Sequence, residues 1–212
     1  MNETHTEVSF SAKEKRLPPV KPHNKDVRPR EHLLKEEVNT LLRHAGDGRY
    51  GDRNYCLVLM MYRHALRVSE AADLVWDNVN LKDRKILIVR QKDGDTTAHY
   101  LERDEVIALT KLAKKPADRV GFVFKSARGE CLSVNGIYRI VSDLGRAAGI
   151  NFQGGGSVHP HMLRHAKGYQ LAAAGTDTRA IQGYMGHRSI NSTVIYTQLA
   201  PDRFKNFGKG DL

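Results

Sequence analysis

The chain has 212 residues, 40% of them hydrophobic, and its 34 Lys and Arg against 24 Asp and Glu leave a net charge of +10. That length suits one large domain or one and a half small ones, and the apolar share is enough for a real core. The longest apolar run, over 55–62, is far short of the ~20 residues a membrane helix needs, so a helical span is excluded and no membrane partner is expected. The basic excess favours a polyanionic partner through Coulomb attraction and counterion release. Cys56 and Cys131 have no CxxC partner and read as reduced thiols. With a polar N-terminus that lacks a signal-peptide pattern, they lead to the expectation of a cytoplasmic protein.

The first 30 residues differ from the rest. They carry Pro18, Pro19, Pro22 and Pro29 among Lys13, Lys15, Arg16, Lys21, Lys25, Arg28 and Arg30, with few large apolar groups to offset the entropy of ordering. A flexible basic arm is expected over 1–30, equally consistent with a solvated tail and with a segment that follows a polyanion. Leu33, Leu34, Val38, Leu41 and Leu42 then recur at helical spacing, and Gly46 and Gly48 stop that helix. Asp52 is expected to cap a second helix through Tyr55, Leu57, Val58 and Met61 toward His64, and a short third one holds Val68, Ala71, Ala72 and Leu74.

Residues 85–90 (KILIVR) are rich in β-branched side chains, and 97–101 reads as their partner strand, with Lys92, Asp93 and Gly94 at the turn of a hairpin. Helices are expected over 104–114, 134–148, 160–174, 178–185 and 189–197, with a short extended piece at 120–124 and a glycine-rich loop at 154–156. The pattern is that of a mainly α domain carrying a small antiparallel β-sheet.

Four segments carry chemistry. In His159-Pro160-His161-Met162-Leu163-Arg164-His165, a helix presents His161 and Arg164 on one face. Arg offers a planar fork of permanently charged donors, and His donates a hydrogen bond or moves a proton near neutral pH. Together they suit a phosphate. His161 and His165 also have the i, i+4 spacing of a metal pair, but no Glu follows His161 as in HExxH, and Arg164 in the same turn would repel a cation. No metal is therefore expected, although an ordinary histidine cluster fits this segment equally well. In Gly183-Tyr184-Met185-Gly186-His187-Arg188-Ser189, Ser189 can cap the helix that holds Thr193, Val194 and Tyr196. His187 then lies at that helix's positive end, where phosphate is favoured. Tyr196 alone reads as a core tyrosine. Arg67 and Glu70 are three apart, so the carboxylate can orient the guanidinium; a surface ion pair of little worth is the plain alternative. Lys92 at a hairpin tip is ordinarily just solvated.

Order and spacing change their weight. Arg67-x-x-Glu70, Lys92, His161-x-x-Arg164, Gly186-His187 and Tyr196 together resemble the tyrosine recombinase (phage integrase) family over about residues 31–205. The strings RNYCLVLMMYRHALRVSEAADL, HPHMLRH and GTDTRAIQGYMGHR are similar to the short fimbrial phase-switch type of invertase. The resemblance implies a tyrosine recombinase catalytic domain over 31–212 behind the arm, with no separate N-terminal core-binding domain. It implies cleavage and rejoining of double-stranded DNA at specific sites through a 3′-phosphotyrosyl intermediate formed by Tyr196. Arg67, Arg164 and His187 would bind the phosphate, and Lys92 would protonate the leaving oxygen. His161 would take the tyrosine's proton or bind phosphate, and Glu70 would hold Arg67. No cofactor is implied. A homo-tetramer on DNA is, and the missing clamp domain suggests an accessory DNA-bending protein. Phe204 and Phe207 form an apolar edge that docks on a neighbouring subunit or on their own domain. A type IB topoisomerase-like nicking-closing enzyme and a non-catalytic DNA-binding regulator are the competing readings.

Overall fold

The computed structural model of the chain describes residues 30–90, 96–152 and 156–198. The N-terminal arm up to residue 29, the turn that contains Lys92, and the tail with Phe204 and Phe207 lie outside the described residues. Eight α-helices occur among those described: α1 (Lys35–Ala45), α2 (Gly51–Arg63), α3 (Val68–Ala72), α4 (Arg103–Leu112), α5 (Val134–Ala147), α6 (Pro160–Ala173), α7 (Thr178–Met185) and α8 (Asn191–Gln198). One three-stranded antiparallel sheet interrupts them, with β1 (Val79–Asn80), β2 (Lys85–Ile88) and β3 (Thr97–Tyr100) in that spatial order. The mainly helical reading with a small sheet therefore holds. The expected hairpin is β2–β3, paired Ile86 to His99 and Ile88 to Thr97; β1 was not foreseen, because two residues are too few to show alternation.

Helix α2 organises the core. Cys56, Leu57, Val58, Leu59, Met60 and Met61 are all buried in one unbroken run, as a helix surrounded on all sides requires, and α1, α4 and α6 pack against it. The expected cap is corrected here: α2 starts at Gly51 after an N-cap at Tyr50, and Asp52 lies inside the first turn. Its carboxylate there still favours the positive end of the helix. Helix α5 begins as capping chemistry dictates, with Ser133 Oγ accepting from Gly136 N at 3.1 Å.

A buried polar cluster ties the sheet to the helices. Ile86 and Ile88 point inward on β2, and His99 joins them from β3. His99 Nδ1 meets His64 Nδ1 at 3.1 Å, and its ring stacks on Tyr184 of α7 at 4.1 Å. His64 Nε2 lies 2.8 Å from Glu105 Oε1 on α4, an ion-pair distance although neither atom has an aligned hydrogen-bond partner. Burial first, then the His64 and Arg90 charges, push His99 down to about 3.

A histidine with a lowered folded value contributes stability above its unfolded value near 6.5, and that stability is lost as pH falls toward the folded value. Glu37 and Glu70, held below the ordinary carboxylate range, add their losses only at lower pH. The melting temperature is therefore expected to fall already between pH 7 and pH 5, with a shallower fall in His99→Gln. A melting temperature flat across that interval in thermal melts would refute the buried neutral histidine.

Candidate active site

The site grows out of three chain turns. Arg67 is the N-cap of α3 and Glu70 its third residue, so the sequence spacing is that of a reciprocal cap. Glu70 Oε2 accepts from the Arg67 backbone N–H at 2.9 Å, and Oε1 accepts from Arg67 Nη1 at 2.6 Å. The pair is not the surface contact that its spacing alone allowed, because the Glu70 side chain is only 1% exposed and the Arg67 side chain 32%. A second guanidinium, Arg90 at the end of the β2 segment, donates to Glu70 Oε2 at 2.8 Å and to the Tyr184 carbonyl. Burial pushes the Glu70 carboxyl up, but Arg90 and the hydrogen bonds from Arg67 outweigh it and hold Glu70 below the ordinary range.

The second turn is the end of α7. Gly186 has φ +63, a left-handed conformation that glycine adopts without strain. A Cβ there would also lie 2.6 Å from Arg90 Nε. This turn aims two carbonyls into the site: Met185 O accepts from Arg164 Nη2 at 2.6 Å, and Gly186 O from Arg67 Nη2 at 3.2 Å. The third turn follows α2, where Ala65, at φ +49, offers its carbonyl to Arg164 Nη1. Arg164 is thus 1% exposed and held between the C-terminal ends of α2 and α7, where helix carbonyls favour a cation. Both of these hydrogen bonds go to backbone carbonyls. Burial first, then Arg67, push Arg164 down to about 9.

Tyr196 enters from α8 and is 1% exposed. Its ring lies edge-on to Tyr169 at 5.0 Å and nearly parallel to His187 at 6.2 Å. Its hydroxyl is 2.8 Å from Nδ1 of His165. Burial pushes Tyr196 up to about 12, with Arg164 working against that rise. His187 is half-buried and engages Thr193 Oγ1 through Nδ1 at 2.9 Å; burial first, then Arg164 and Arg67, push it down to about 3, so it is neutral at pH 7. When the threonine hydroxyl donates to Nδ1, the ring proton sits on Nε2, ready to be donated. Ser189 Oγ accepts from Asn191 N at 3.3 Å at the start of α8, close to its expected capping place.

Arg67, Glu70, Arg164, His187 and Tyr196 therefore converge. His161 sits on the exposed start of α6 and meets His165 edge to face at 4.6 Å. Lys92 lies outside the described residues. Two members of the site were missed in the sequence. Strand alternation places Arg90 on the inward face with Ile86 and Ile88, a signal that was available. His165 shares the face of His161 and Arg164 at i, i+3 and i+4, a spacing that equally fits a metal pair or an ordinary histidine cluster. Among the described residues no three His, Cys, Asp or Glu gather as a metal site.

Two substitutions probe this packing. Removing one partner of a buried ion pair costs about 3 kcal/mol or more, so Arg90→Leu is expected to lower unfolding free energy by about that amount in denaturant melts; a loss well below 1 kcal/mol would show that Glu70 does not depend on it. A Cβ at Gly168 would lie 2.7 Å from the Tyr196 ring. Alanine is ordinarily better than glycine inside a helix by ~1 kcal/mol, yet Gly168→Ala is expected to destabilise because the tyrosine must move. Stabilisation would remove the close contact from the argument.

Comparison with known proteins agrees with this geometry. Residues 31–203 match the phage integrase family. The type 1 fimbriae regulatory protein FimE of Escherichia coli (strain K12) is 43% identical over 180 residues, covering 82% of this chain and 89% of its own. The tyrosine recombinase XerD of Mycobacterium tuberculosis (strain CDC 1551 / Oshkosh) is 31% identical over 191 residues, covering 84% of this chain and 60% of its own. The crystal structure of XerA recombinase superimposes with a TM-score of 0.70 at 27% identity, covering 90% of this chain and 65% of that one. With the arginine, histidine and tyrosine positions assembled in one site and most of its length matched, the chain belongs to the phage integrase family of tyrosine recombinases.

Proposed function

We propose that the protein is a site-specific DNA recombinase that cleaves and rejoins DNA through Tyr196, with inversion of a DNA segment as its reaction. The observation that carries this reading is the charge balance around the tyrosine. Arg67 and Arg90 share the Glu70 carboxylate while Arg164 bonds to carbonyls. A buried surplus of positive charge beside a hydroxyl nucleophile calls for an anion, and a phosphodiester supplies it. The FimE similarity and the resemblance to phase-switch invertases support inversion.

In the reaction, the Tyr196 oxygen attacks phosphorus and the bond to the 5′ oxygen breaks. A 3′-phosphotyrosyl ester and a 5′ hydroxyl result, so the phosphodiester energy is stored in the covalent intermediate. Arg67, Arg164 and the Nε2–H of His187 stabilise the non-bridging oxygens, where negative charge grows in the transition state. Glu70 and Arg90 keep Arg67 in place. His161, on the open side, faces the incoming phosphate. Lys92, two residues after Arg90 in the sequence, protonates the leaving oxygen. Arg164 and Tyr196 are each 1% exposed, so neighbouring elements must shift before a phosphate reaches them. Exchange between two duplexes breaks four strands, and one tyrosine serves each break, hence a tetramer on DNA. An accessory DNA-bending protein would bring the two sites together. The domain of 31–212 suffices for this chemistry, with the basic arm of 1–30 following the phosphate backbone.

The test starts from a pool of nicked duplexes of randomised sequence. Adducts that survive denaturing washes are sequenced, and the recovered duplex becomes the substrate. The native chain is expected to form a covalent adduct that Tyr196→Phe abolishes. An adduct with the Phe variant, or no retained DNA at all, would overturn the reading. Relaxation of supercoiled plasmid without exchange between two recovered sites would favour the topoisomerase-like alternative.

A further inference from the structure

We propose that His165, rather than His161, is the catalytic proton acceptor for Tyr196. The proposal rests on the recombinase reading above and deepens it. His165 Nδ1 stands 2.8 Å from the Tyr196 oxygen, within the reach required of a general base. His161 stands one helical turn earlier on α6, and its described ring contact is with His165, edge to face at 4.6 Å. The face that carries Arg164 to the phosphate site therefore carries His165 to the nucleophile.

The protonation state fits an acceptor. The groups facing His165 include His161 and Arg164 on its own helix, His159 before that helix, His32 from the segment before α1, His187 after α7, and Tyr196 on α8. Burial first, then the His161 and Arg164 charges, push His165 down to about 4. It is neutral at pH 7, and with its proton on Nε2 the Nδ1 lone pair is directed at the phenol. In the free protein the tyrosine keeps its proton, because burial holds Tyr196 up near 12. A phosphodiester bound to Arg164 changes this balance: its negative charge offsets the cations that depress His165. The tyrosine's acidity also rises as its oxygen bonds to phosphorus, so transfer in the transition state does not require a free phenolate.

The atoms balance in both directions. In cleavage the Tyr196 hydroxyl proton passes to His165 Nδ1, the tyrosine oxygen bonds to phosphorus, and the bond from phosphorus to the 5′ oxygen breaks. In ligation a 5′ hydroxyl attacks phosphorus, the tyrosine oxygen leaves, and His165 returns the proton to it. A second role for the same contact is a holding one, in which His165 only fixes the ring, and a third is a latch that keeps the tyrosine back. The three roles differ in what substitution does.

The experiment measures the rate of adduct formation on the recovered duplex by the full chain, His165→Ala and His165→Asn, with Tyr196→Phe as the blank and binding of the same duplex by gel shift as the check on folding. Asn keeps an acceptor close to the Nδ1 place but cannot take up a proton. Both variants are expected to bind the duplex and to cleave about 100-fold or more slowly, the range of general base catalysis, and added imidazole is expected to restore part of the rate to His165→Ala. A near-native rate in His165→Asn would make the residue a holder, and faster cleavage by His165→Ala would make it a latch; either overturns the proposal. Variants that no longer bind the duplex are decided by imidazole with the native chain's neighbour variant His161→Asn: a 100-fold loss there, rescued by imidazole, assigns the proton to His161 and overturns the proposal. If the native chain itself forms no adduct, the recombinase reading fails first and takes this proposal with it.

Discussion

Glu70 holds one carboxylate against two guanidiniums, and the geometry of the site follows from that. A buried carboxylate is tolerated only when its lone pairs are filled. Here the Arg67 backbone N–H, the Arg67 side chain and Arg90 fill them. The same three bonds start α3, orient Arg67, and anchor the end of the β2 segment to α7 through the Tyr184 carbonyl. A helix start, the orientation of Arg67 and the end of the β2 segment are thus set by one side chain. Glu70 neutralises only one of its two partners, and Arg164 takes carbonyls in place of a second carboxylate. Carbonyl dipoles make a buried cation tolerable without cancelling its charge. The site is folded with a surplus of positive charge.

The parts of this arrangement legible in the sequence are those with short periodicity. Arg67-x-x-Glu70 is a capping spacing, His161-x-x-Arg164 a helical face, and the apolar run from Cys56 to Met61 a buried helix. Ile86, Ile88 and Arg90 alternate inward, so the burial of Arg90 was legible too, but its partners Glu70 and Tyr184 are 20 and 94 residues away and no local pattern pairs them. The carbonyls that cradle Arg164 are backbone groups on turns whose shapes, φ +49 at Ala65 and φ +63 at Gly186, arise from packing. Only the glycine announces its turn; an alanine in a left-handed conformation has no sequence signature. Asp52 shows the reverse error: a good capping residue lies in the first turn, two positions past the N-cap Tyr50, and Gly51 between them packs so closely on Gly46 that a Cβ would lie 2.1 Å from the Gly46 carbonyl oxygen.

Tyr196 was readable either as a core side chain or as a nucleophile, and the structure buries its ring in the core while its hydroxyl meets His165 Nδ1. It packs with Ala65, Ile181 and Met185 in a small apolar cluster, and Gly168 leaves room for its ring. The displacements of Tyr196 upward and of His165, His187 and Arg164 downward share one leading cause, burial of groups whose charged forms are poorly solvated. Each departs in the direction that suppresses charge. The site therefore holds a protonated phenol beside neutral imidazoles. Burial that packs Tyr196 into the core and burial that holds it protonated beside neutral imidazoles are the same physical effect, acting on the same side chains.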